Sequence, residues 1–228
     1  MSLLQRVDYL SWGGGVLRDF DTKIYHRLLT IPGGKPVRYA AGQVICFQGG
    51  EANALVVVSG ADIKVQYVSA SGRKYTLGQE ENYFGVLGEM ELFSGSGTHM
   101  LSVTAVNPVV GYQLTREKIL GALTKMPDLA LDFLALMSNR YHTTVTRAME
   151  NILYGLRFNA LKRLVDLSEV AGHEQFLIAQ DIEAESLGTS SRAYRRILKS
   201  LLDEGVLEKS GNGYRFINLD RVFSEIQI

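Results

Sequence analysis

The stretch Gly88–Met100, GEMELFSGSGTHM, has the makings of half an anion pocket. Glycines, with Gly88 first, and a carboxylate, Glu89, are present, but where a buried phosphate would want a cation there are only His99 and Met100. A histidine is mostly neutral at pH 7 and a methionine donates nothing, so neither replaces the planar fork of an arginine. The other chemistry-bearing stretch is Thr189–Lys199, TSSRAYRRILK, with four basic residues and no acidic one. Ser190 or Ser191 suits a helix N-cap, and Ile197, Leu198, Leu201 and Leu202 supply an apolar face, which leaves Arg192, Arg195, Arg196 and Lys199 outward. Such a helix can enter a DNA major groove, where arginine donates two hydrogen bonds to guanine and backbone NH groups meet phosphates. An ordinary solvated face is the alternative reading. The helical segments before it and the hairpin pattern after it favour DNA.

The elements that must position these residues fall into three patterns. After Gly13-Gly14-Gly15, read as a flexible break, Leu17, Phe20, Ile24 and Leu28 recur at helical spacing. From Val37 to about Leu114 the period is two, as in Leu101, Val103 and Ala105 alternating with Ser102 and Thr104, and glycines punctuate short strands. This predicts an antiparallel roll or barrel. Thr115 to Lys118 opens a short helix, and Pro127-Asp128 begins a long one that meets no Gly or Pro before Gly155. Leu134, Ser138, Tyr141, Val145, Ala148 and Ile152 follow alternating steps of four and three, the seam of a coiled coil. A homodimer helix is expected, with packing against the roll as the alternative. Beyond Gly155 come three helices and a hairpin over Val206–Ile217 that turns at Ser210-Gly211-Asn212-Gly213, the outline of a winged helix.

Composition narrows the classes further. The 228 residues carry 24 basic and 24 acidic side chains, so any nucleic-acid role must come from local clustering. Cys46, the one cysteine, cannot form an internal disulfide or hold an iron–sulfur cluster or structural zinc alone, and His26, His99, His142 and His173 lack ligand spacing. There is no GxxxxGK[ST] loop and no nucleophile triad, so no enzyme and no cofactor is expected. No apolar run approaches the ~20 residues of a membrane helix. The N-terminal stretch carries Arg6 and Asp8 where a signal peptide would stay apolar, so the chain reads as a cytoplasmic protein with no membrane partner.

Together these residues resemble the Crp/Fnr family of bacterial transcription regulators. The resemblance rests on Ala41–Glu51 (AGQVICFQGGE), Leu55–Gly60 (LVVVSG), Ser71-Gly72-Arg73 and Gly88–Phe93 (GEMELF), followed in order by Pro127-Asp128, the long helix and the basic helix. It implies an α+β chain: an antiparallel β-roll of the cyclic-nucleotide-binding type with an N-terminal helix over 1–126, a dimerisation helix over 127–154, and a winged helix-turn-helix over 155–228. It also implies an effector seat around Gly88, Glu89, His99, Met100, Arg140 and Thr144. The family's cyclic AMP receptor follows its Gly-Glu pair with an Arg-Ser pair that holds the cyclic phosphate, and here His99-Met100 stands in that place. Tight cyclic AMP binding is therefore not expected. His99 is read as an exposed hairpin residue, as a contact to a different effector, or as a weak pH-dependent anion contact.

The implied function is a dimeric, sequence-specific DNA-binding regulator, gated by an unidentified effector or binding constitutively. Ser190, Ser191, Arg192, Arg195, Arg196 and Lys199 would be the DNA residues, and RNA polymerase a further partner. The family's common reader is Ser-Arg-Glu with an Arg four residues after the Glu; here Ser190-Ser191-Arg192 with Arg196 departs from it, so a different operator is expected. A cyclic-nucleotide-binding module that does not act on DNA is the rival reading.

Overall fold

The computed structural model describes residues 15–226, with side chains from Asp21 onward. The expectations for the first residues and for Gly13-Gly14 lie outside them. The chain divides into two compact units, residues 1–72 with 77–144, and residues 73–76 with 145–228.

The first unit opens with α1 (Gly15–Leu28). Gly15 begins this helix instead of belonging to a break. Glycine is costly only inside a helix and Gly15 stands at its first position, while Ile24 and Leu28 anchor the helix as fully buried residues of its inner face. Six strands follow: β1 (Lys35–Tyr39), β2 (Val44–Cys46), β3 (Ala54–Val68), β4 (Lys74–Leu87), β5 (Ser102–Ala105) and β6 (Val109–Thr115). They form one sheet in the order β1-β6-β3-β5-β2, with β4 on β3. The first part of β3, Ala54–Val58, pairs antiparallel with β6, and Ile63–Gln66 pairs antiparallel with β5. The β-roll expectation is thereby met.

The apolar run Leu55–Val58 fits a strand buried on both faces. Its even residues Val56 and Val58 point into the roll with Cys46, Ile63, Val65, Leu87 and Val103, while Leu55 and Val57 face a second core with Ile24, Leu28, Ile119, Leu129, Phe133 and Leu136. That second core joins the sheet to α1, α3 (Arg116–Lys125) and α4 (Asp128–Leu153). Along α4 the residues Leu129, Phe133, Leu136, Arg140 and Thr143 are buried. On its other side Leu131, Leu134, Tyr141 and Ile152 are 67%, 62%, 70% and 76% exposed. The predicted 4-3 seam is thus the uncovered side of the helix.

The second unit holds α5 (Leu156–Val170), α6 (Gln180–Ser186), α7 (Ser191–Asp203), the hairpin β7 (Leu207–Ser210) and β8 (Gly213–Phe216), and α8 (Leu219–Ile226). Leu161, Leu164, Tyr194, Leu198, Leu201, Leu207 and Val222 build its core. The hairpin pairs Ser210 with Gly213, so its loop is Gly211-Asn212. Positive φ occurs at Gly211 (54°) and not at Asn212, so the turn takes its reversal from the glycine that comes first and not from the Asn-Gly pair. In α6 the inward positions belong to Glu183 and Ala184, which explains why Ile182 and Leu187 fall out of apolar register.

Candidate functional site

Two places gather the residues singled out by sequence, one in each unit. In the roll, Gly88 precedes the short helix α2 (Glu89–Ser94) with φ 89°, a left-handed conformation that favours glycine. A Cβ there would lie 3.2 Å from both the Ala54 carbonyl oxygen and the His99 ring, so a side chain would also be crowded. The hollow beside it is lined by Cys46, Leu87, Glu89, Glu91, His99 and Leu101, among others. It measures about 320 Å³ including the part open to solvent, but only about 20 Å³ of it admits the centre of a water molecule. Burial pushes the Cys46 thiol up to about 12, so it stays protonated and acts as a small apolar side chain in this wall.

His99 is not the exposed hairpin residue that was one of its expected fates. Its side chain is 11% exposed and its Nδ1 lies 3.6 Å from the Glu91 carboxylate, itself fixed by the Met100 NH, which donates to Glu91 Oε1 at 3.0 Å. The hairpin folds back so that the His99 NH donates to the Gly50 carbonyl at 2.9 Å and its carbonyl accepts from the Gly49 NH at 2.7 Å. Those two bonds carry the ring inward over Gly88. The Met100 side chain is exposed.

Glu89 and Arg140 meet inside the unit. Glu89 is 1% exposed and Arg140 3%, and the guanidinium donates to Glu89 Oε1. Its other arm donates to Asp21 Oδ1 at 2.6 Å, contacts the Tyr83 hydroxyl at 2.6 Å and reaches the Val86 carbonyl at 3.4 Å. The Tyr83 hydroxyl in turn donates to Asp21 at 2.8 Å. Burial works against the Arg140 charge, but Asp21 and Glu89 outweigh it and hold the guanidinium well above its ordinary pKa. Burial also raises the Glu89 carboxyl despite Arg140 beside it. With Glu89 and Asp21 on it, the guanidinium is already engaged and is not offered to a phosphate. Thr144, one turn further along α4, stays outside this cluster and is half-buried. Asp21 and Tyr83 escaped the sequence reading; no local pattern marks residues that meet Arg140 across sequence separations of 119 and 57.

In the second unit α7 separates its faces sharply. Tyr194, Leu198 and Leu201 are buried, at steps of four and three, while Arg192, Arg195, Arg196 and Lys199 all lie toward solvent. Ser190 is the N-cap: its hydroxyl accepts from the Ala193 NH at 3.2 Å. Arg195 reaches back to α6, donating to Gln180 at 3.2 Å and to Asp181 at 3.2 Å. Arg192, Arg196 and Lys199 have no ion pair or side-chain hydrogen bond among the described residues. Beneath them Arg163 of α5 grips Glu183 of α6 through two bonds, Nε to Oε2 at 2.7 Å and Nη2 to Oε1 at 3.2 Å, with both side chains buried. This pair pins the helix before α7 to the helix behind it.

Residues 36–125 match the family described as the cyclic nucleotide-binding domain. Over nearly the whole chain the fold matches a c-di-GMP-responsive global regulator, CLP, from Xanthomonas campestris (TM-score 0.73, 20% identity, 87% of this chain and 100% of that one). It also matches a CRP/FNR-family transcriptional regulator from Thermus thermophilus (TM-score 0.60, 20% identity, 84% and 98%). This is the Crp/Fnr fold. FixK2 from Bradyrhizobium japonicum shares it at TM-score 0.62 and 15% identity, over 84% of this chain and 96% of its own. No curated protein sequence matches the chain. At such identities the Crp/Fnr likeness fixes the architecture, an α+β chain with a curled sheet followed by helices. The reading of either site rests on the residues above.

Proposed function

We propose that this protein is a dimeric, sequence-specific DNA-binding transcription regulator whose β-roll does not take a cyclic nucleotide in the manner of a cyclic AMP receptor. The observation that carries the reading is the α7 face: Arg192, Arg196 and Lys199, outward and unengaged, over a helix pair locked by Arg163 and Glu183. A solvated face needs no such arrangement, whereas a major-groove reader needs free donors on a rigid helix. Ser191 at the N-terminal end of α7 is available for a phosphate or base contact, and the Ser190 cap fixes that end.

The working parts are a sensing roll over 1–126, a dimerisation helix over 127–154 and a winged helix-turn-helix over 155–228. The exposed seam of α4, with Leu131 extending it one step upstream of Leu134, supports pairing of two copies. A two-fold axis would set two α7 helices in successive major grooves, about 34 Å apart. Dimerisation, a cytoplasmic bacterial setting and contact with RNA polymerase belong to this proposal.

In the roll, Gly88, Glu89, His99, Met100, Arg140 and Thr144 are the effector seat we propose, but its state disfavours a nucleotide phosphate. Ligand pockets occupy ~300–1,000 Å³, whereas the space here that admits the centre of a water molecule is about 20 Å³. Glu89 is already paired with Arg140, and no permanent cation faces the hollow among its lining residues. The Xanthomonas neighbour is described as c-di-GMP responsive, so cyclic di-GMP belongs with cyclic AMP among the ligands to test. The rival, a cyclic-nucleotide module that ignores DNA, leaves the free α7 face without a purpose.

The test is recovery of fragmented genomic DNA by the purified, effector-free protein, followed by footprinting. The expected result is a small set of fragments with a two-fold symmetric footprint and dissociation constants near ~10⁻⁸ M or tighter. Recovery of all fragments equally would remove the claim of sequence specificity.

A further inference from the structure

The four arginines and lysines on α7 differ in what they are free to do, and that difference predicts the operator. Arg192, Arg196 and Lys199 stand at i, i+4 and i+7, one face of the helix, and none has an ion pair or side-chain hydrogen bond among the described residues. Arg195 sits at the edge of this face with its guanidinium on Gln180 and Asp181 of α6. The Ser190 hydroxyl is likewise occupied, by the Ala193 NH. Of the polar groups on α7, the two free forks are therefore Arg192 and Arg196, both in its first two turns, the end that a recognition helix presents to base edges.

An arginine fork in the major groove matches the O6 and N7 acceptors of guanine, whereas adenine and cytosine present an amino group that repels it. In the first two turns of α7 the free face carries no carboxylate or carboxamide that could accept from cytosine or grip adenine; the one carboxylate on that face, Asp203, stands at the far end of the helix. From these placements we infer that Arg192 and Arg196 each read a guanine, so that every half-site of the operator carries two G·C pairs. The Cα atoms are about 6 Å apart along the helix axis, so both pairs fall within one half-site. Lys199, a point charge one turn further on, meets phosphate. Arg195 positions α7 on α6 and reads no base. This rests on the DNA-binding reading above and adds its specificity.

The experiment selects from a randomised duplex library with the full-length wild-type protein and with R192A, R195A, R196A and K199A, and compares base frequencies at each position. The wild type is expected to enrich two guanine positions per half-site. R192A flattens one and R196A the other, each by between about 5-fold and about 150-fold in relative affinity. R195A and K199A weaken binding at all positions alike and leave the frequencies unchanged. All four side chains lie on the solvent side of α7, so thermal melts followed by circular dichroism should match the wild type and exclude misfolding. An unchanged frequency profile for R192A, or a position flattened by R195A, overturns the assignment while leaving DNA binding intact. Failure of the wild type to enrich any sequence overturns the DNA-binding reading as well.

Discussion

Replacing Arg140 with methionine removes the charge while keeping an unbranched apolar stem, and it isolates the role of the buried cluster in the roll. The side chain engages Glu89, Asp21, the Tyr83 hydroxyl and the Val86 carbonyl, and all of it lies out of water. Taking one partner from a buried ion pair typically costs ~3–5 kcal/mol, because the charge left behind is uncompensated. Glu89 has an escape, which is to bind a proton. At pH 7 that costs about 1.36 kcal/mol for each unit between pH 7 and its unfolded pKa near 4.3, or about 4 kcal/mol, and this caps the Glu89 contribution. The cap carries a pH signature. In the variant the folded-state carboxyl titrates above its unfolded value, so the stability it confers is fully present below about pH 4 and is lost as pH rises. Moving from pH 7 to pH 5 should return up to about 3 kcal/mol of the loss. Urea denaturation of wild type and variant at both pH values measures this directly. A loss below about 1 kcal/mol at pH 7, or an equal loss at pH 5, would show that the cluster does not hold the roll together as described.

Burial pushes the Asp166 carboxyl of α5 up to about 7, so the folded state holds a proton that the unfolded state releases near the ordinary value of 3.8. Stability of the second unit should therefore fall as pH rises from about 4 to about 7 and level off above, and D166N should flatten that slope. Replacing the N-cap, S190A, should lower stability by about 1 kcal/mol in thermal or urea unfolding. The double variant L134D/I152D places carboxylates in the uncovered seam of α4 and should sediment as a monomer where the wild type sediments as a dimer.

The alternating pattern from Val37 to Leu114 and the basic run before Leu201 were legible because both are local: a period of two and an amphipathic helix need only neighbours in sequence. The seam of α4 was legible for the same reason. Leu134, Tyr141 and Ile152 fall on its steps of four and three and are apolar yet uncovered. The interior of the roll site was hidden. His99 reads as a hairpin residue until the backbone bonds to Gly49 and Gly50 turn it over Gly88. Arg140 reads as a ligand contact until Asp21 and Tyr83 arrive from distant segments. The register of α6 misled for a related reason, since an acidic residue, Glu183, takes the inward position that periodicity assigns to an apolar one. Charge pairing between separate segments leaves no period in a sequence, and the Arg140 and Glu183 surprises are of that kind.

At the centre stands a regulator that reads DNA while its roll takes no cyclic AMP. The most direct measurement is the affinity of the full-length protein for its best selected fragment, with and without millimolar cyclic AMP, by fluorescence anisotropy at fixed salt. Tight binding with the same dissociation constant is expected in both cases. Binding that appears only when cyclic AMP is present would contradict it, because the Glu89–Arg140 cluster would then have to open for a phosphate.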